Sequence, residues 1–178
     1  MKRRQLPEEF SPDDWGAFAG ELQGESERAT VIVAAAFLDD LLATLMATFL
    51  IDDSEAAEQL LMRPFSPLGS FSARITTAYL LGLIGRMERN DLGVIKDIRN
   101  RFAHERAGLR LGDASITPLL HRLQLSSIVP ETIRNAMSTD PRQVFINHAS
   151  MLASFLESRL RTMPTRLQQP RQIVIVEP

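Results

Sequence analysis

The chain contains no cysteine, which excludes disulfides, thiolate catalysis and thiolate metal ligation. Lysine is almost missing too: Lys2 and Lys96 are the only two, and arginine supplies every other basic side chain. Guanidinium groups favour bidentate pairing with carboxylate or phosphate. Aromatic residues are few, with one Trp (Trp15), one Tyr (Tyr79) and nine Phe, so a base-stacking platform for single-stranded nucleic acid is not evident. His104, His121 and His148 are spread apart, which argues against a metal centre. The longest apolar stretch, residues 31–51, is interrupted by Asp39 and Asp40 and reads as a core helix, not a membrane span. The basic start "MKRRQLPEEF" has no apolar run behind it, so it is not a secretory signal. These absences fit a cytoplasmic protein. Walker, dinucleotide and Ser-His-Asp signatures are missing as well, and nothing calls for a cofactor.

What is present suits one globular domain: 178 residues, 44% hydrophobic and 24% charged. The net charge of −2 hides an asymmetry, because residues 1–60 are strongly acidic and residues 61–178 are basic. A duplex-DNA binder usually shows a strong basic excess, and this chain as a whole does not. A tight glycine turn leading into a basic recognition helix is also missing. Nucleic acid is therefore not favoured as a partner.

Helical patterning runs through most of the chain. Residues 1–11 read as a polar arm, 12–163 as a single all-helical domain and 164–178 as a mobile tail. "SPDDW" begins a short helix that ends near Gly24, with Ser11 as cap and Pro12 in the first turn. Ser26 caps a helix apolar on nearly every face, the mark of a central element. "SEAAEQLLM" gives a third helix and "RPFSPLGSFS" a loop. "ARITTAYLLGLIGRM" reads as one helix whose glycines allow close packing, with "ERND" as a break after it. "LGVIKDIRNRFAHER" carries an inner stripe of Leu92, Ile95, Ile98 and Phe102. A short helix near Thr117 and a long one capped by Asp140 complete a compact all-α bundle of about seven helices. The third and final helices are less apolar all round and could leave a face for a homodimer.

Three polar residues stand beside that inner stripe: Arg99, Asn100 and His104. Asn100 and His104 share a helix face at four-residue spacing, with Arg99 one step away. One reading makes them a polar network at a packing edge. The other lets His104 transfer a proton while Arg99 steadies a phosphate, which suits phosphodiester cleavage. Lys96, Arg101, Arg106 and Arg110 surround them, against Asp97 and Glu105, so this is the best anion-facing surface in the chain. Asp97 with Arg101, or Arg101 with Glu105, can equally neutralise each other. Asp39 and Asp40 interrupt an apolar helix, so at least one should point inward, with Arg74 or Arg99 as partner in a structural polar network.

Three blocks, "ESERATVIVAAAFLDDLL", "PLGSFSARITTAYLLGLI" and "IRNRFAH", together resemble the mannitol operon repressor (MltR) family in order and spacing. The resemblance covers roughly residues 20–160. It implies an all-helical cytoplasmic negative regulator of sugar-alcohol uptake genes, lacking a recognisable DNA-reading motif and acting through a protein partner or weak nucleic-acid contacts. "RNRFAH" also resembles the HEPN helical domains, many of which are metal-independent ribonucleases. That second resemblance implies either a ribonuclease, with catalytic roles for Arg99, Asn100 and His104 in a cleft formed by two subunits, or an RNA-binding module using Arg99 and His104. The chain's own residues favour a binding or regulatory protein over an enzyme, with Arg74, Lys96, Arg99, Asn100, Arg101, His104 and Arg106 as the candidate binding set.

Overall fold

The structure, a computed structural model, describes residues 19–105 and 108–162. The polar arm, the start of the first helix, Arg106 and the tail therefore lie outside the described residues. The described chain is all-helical, with no strand. Residues 19–24 are helical. Seven α-helices follow among the described residues: α1 (Glu27–Phe49), α2 (Ser54–Leu61), α3 (Phe71–Leu80), α4 (Arg86–His104), α5 (Thr117–Leu120), α6 (Glu131–Ala136) and α7 (Pro141–Thr162). A 3-10 turn, Leu125–Ile128, joins α5 to α6.

α1 starts where Ser26 accepts a hydrogen bond from the Ala29 amide, satisfying one orphan donor of the first turn. It is long and apolar enough to cross a membrane, but ten of its residues are buried inside the protein. Val31, Ala34, Leu38, Leu41, Leu42 and Leu45 are buried, and the helix packs chiefly on α7 and α4. α4 adds Leu92, Ile95, Ile98 and Phe102, all with no exposed surface, and α7 adds Phe145, Ile146, Leu152 and Leu156. The core thus lies between α1, α4 and α7, with α3 closing one side against α1 and α4.

The stretch read as one helix through "LGLIG" is two elements. α3 stops at Leu80, and Gly82 adopts a left-handed φ of 72°. The Leu83 amide donates back to the Ala78 carbonyl and the Gly82 amide to Tyr79, which closes the helix end with a Schellman pair. α4 then begins at Arg86, so "ERND" lies within it instead of before it. Glu88 and Asp91 are buried there because each has donors to satisfy it. Glu88 accepts from Arg159 Nε at 3.1 Å and Nη2 at 2.7 Å, tying α4 to α7. Asp91 accepts the amides of Gln124 and Leu125, which fixes the 3-10 turn against α4. That turn and α6 had no counterpart in the periodicity, since each is shorter than two helical turns.

Candidate functional site

Arg99 and His104 come from the second half of α4, whose apolar stripe is turned into the core. Their side chains lie on the other faces: both are exposed, and Asn100 is half-buried. Arg99 Nη1 donates to Asn100 Oδ1 at 3.0 Å. A buried network is therefore not what these residues form. The last turn of α4 is instead held by Arg28 of α1, whose guanidinium donates to the carbonyls of Phe102 and, at 3.0 Å, Glu105. A cation there also suits the negative end of the helix dipole.

The charged surface around them is partly neutralised. Lys96 Nζ lies 3.1 Å from Asp97 Oδ1, so Asp97 pairs with its neighbour and not with Arg101 one turn on. Arg101 and Arg110 are exposed. No group of three or more His, Asp or Glu side chains is placed to hold a metal ion among the described residues.

A buried polar cluster sits nearby. Arg74, only 8% exposed, enters from the first turn of α3, where Ser70 caps the helix by accepting from the Ala73 amide. Its Nη1 donates to Asp39 Oδ1 at 2.7 Å, its Nη2 to the Leu61 carbonyl at 2.6 Å and its Nε to the Leu68 carbonyl at 2.9 Å. One guanidinium thereby binds α1, the end of α2 and the α2–α3 loop. Burial raises the Asp39 carboxyl above the ordinary carboxylate value, against the opposing hydrogen bond and charge of Arg74 and the charge of Arg99, with Asp40 adding to the rise.

Asp39, Asp40, Arg74 and Arg99 share a groove of about 210 Å³ with Ala35, Ala36 and Phe71. Arg99 is thus brought beside the two aspartates of α1, while His104 lies more than a helical turn further on. The sequence set Asp39 and Asp40 against Arg74 or Arg99 but gave no sign of a hollow between them, because its lining comes from α1, α3 and α4, far apart in the chain. Glu88 and Asp91 also escaped notice: a buried carboxylate on a helix is visible in sequence only where apolar residues flank it, and "RMERND" is polar apart from Met87.

No family model matches the chain, and no curated protein matches it. Two solved structures share its fold. A chain of the MtlR–HPr complex from Escherichia coli superposes with a TM-score of 0.64 at 21% identity, over 80% of this chain and 97% of that one. A possible transcriptional regulator, YggD from Shigella flexneri, superposes with a TM-score of 0.60 at 12% identity, over 84% of this chain and 98% of that one.

Proposed function

We propose that the chain is a cytoplasmic negative regulator of transcription, of the mannitol operon repressor kind, that acts on sugar-alcohol genes through a protein partner. The observation that carries this reading is the fold shared along nearly the whole length of two solved chains, one from the MtlR–HPr complex and one described as a possible transcriptional regulator. The three sequence blocks and the lack of a DNA-reading motif support it. Titration calorimetry of the purified chain with the host's HPr tests the partner. Saturable binding of one HPr per chain is expected, and no binding at concentrations well above the micromolar range contradicts it.

Exposure of Arg99 and His104 favours one second reading, a metal-independent ribonuclease of the HEPN kind using Arg99, Asn100 and His104. Labelled RNA incubated with the protein in EDTA decides it. Cleavage by the wild type, lost in Arg99→Ala and His104→Ala at unchanged melting temperature, would put catalysis in place of regulation. Intact RNA in every sample would remove this reading.

A further inference from the structure

The groove between α1, α3 and α4 has hydrogen-bonding capacity that the fold does not use. Asp39 gives one oxygen to the chain, Oδ1 accepting from Arg74 Nη1 at 2.7 Å. Its Oδ2 has no donor among the described residues. Burial raises this carboxyl in spite of the Arg74 bond, so its second oxygen gains from any further donor that reaches it. Arg99 lines the same groove and is near enough for its charge to act on Asp39. No hydrogen bond or ion pair joins the two. Arg99 Nη1 donates to Asn100, while its Nη2 and Nε have no acceptor among the described residues.

An acceptor and a donor that do not meet call for a group offering both functions. A hydroxyl does so: its O–H donates to a carboxylate while its lone pairs accept from a guanidinium. An ammonium only donates, and a carboxylate or fully ionised phosphate only accepts. Charge points the same way. Two carboxylates, Asp39 and Asp40, balance two guanidiniums, Arg74 and Arg99, so an ionic ligand gains no net attraction and a neutral one loses nothing. Ala35 and Ala36 contribute only methyl groups, which leaves the hollow open, and the half-buried Phe71 adds an apolar wall suited to carbon-bound hydrogens. The volume of about 210 Å³ exceeds the roughly 150 Å³ of a cavity that holds benzene, so a skeleton of about six carbons fits with its hydroxyls.

We propose that this groove binds one neutral polyhydroxyl molecule of that size, a sugar or a sugar alcohol, with a hydroxyl bridging Asp39 Oδ2 and Arg99 and its carbon face against Phe71. The site is argued from the groove's own chemistry and stands independently of the regulator reading and of any HPr binding. Equilibrium dialysis of the full chain against radiolabelled D-mannitol, and separately D-glucose, tests it. Dialysis is the right assay because polyols at high concentration stabilise proteins without binding, by exclusion from their surface. Two variants accompany the wild type, with melting temperatures taken on the same samples. Arg99→Met removes the exposed donor, and Ala36→Leu fills the hollow from the exposed side of α1. The wild type should take up one molecule per chain, saturably, below about 10 mM, and each folded variant should bind at least about tenfold more weakly. Tighter uptake of mannitol would assign an open-chain ligand, and of glucose a ring. Excess inorganic phosphate should leave uptake unchanged. The proposal is overturned by no saturable uptake of either sugar, by a variant that binds as the wild type does, or by displacement with phosphate.

Discussion

Arg74 donates from three nitrogens to Asp39, Leu61 and Leu68, and shortening it strands all three acceptors. Arg74→Ala should cost about 3 kcal/mol, read as a lowered urea midpoint at unchanged slope. Asp39 responds to pH in the opposite sense to a carboxylate whose pKa is lowered by its ion pair. Because its folded pKa is raised, the folded state holds the proton more firmly than the unfolded chain. Its contribution is present below the unfolded value and is lost as pH rises through the folded one. Relative to Asp39→Asn, the wild type should therefore lose stability with rising pH across that interval, and thermal melts on both proteins at stepped pH would reveal it. His104 is a different case, being exposed in the last turn of α4. His104→Ala should shift stability by no more than about 0.5 kcal/mol, and a much larger loss would restore the buried-network reading.

Elements show where sequence patterning succeeds and where it stops. α1 and α7 were legible because each has a capping residue, Ser26 or Asp140, ahead of a sustained helical pattern, and the structure adds Asp53 as the cap of α2. The joint of α3 and α4 was not, since "LLGLIG" is apolar enough to pass for helix. Only the φ of Gly82 separates a packing glycine from a terminating one. Gly82→Ala should cost about 1 kcal/mol in a chemical denaturation series, from forcing a side chain into the left-handed region. α4 is also anchored by carboxylates whose partners are far along the chain, Arg159 for Glu88 and the 124–125 amides for Asp91. Asp91→Ala should destabilise by about 2 kcal/mol, because it leaves those amides buried without an acceptor. Such long-range partners are invisible to a local pattern.

At the scale of the whole molecule, the all-helical class followed from periodicity and the absence of strand signals. The candidate site followed less well. Sequence spacing placed Arg99, Asn100 and His104 on one helix but could not tell which of them meets solvent. In the structure Arg99 joins the α1 aspartates at a groove, while the end of α4 bearing His104 is secured by Arg28. The regulator account requires the charged faces of a complete fold, not proton transfer at His104. Its most direct test is the transcript level of the host's sugar-alcohol uptake genes in a strain lacking the chain, with and without complementation by the wild type. The account predicts that transcripts rise on deletion and fall again when the wild type is restored. Transcripts unchanged on deletion would contradict it.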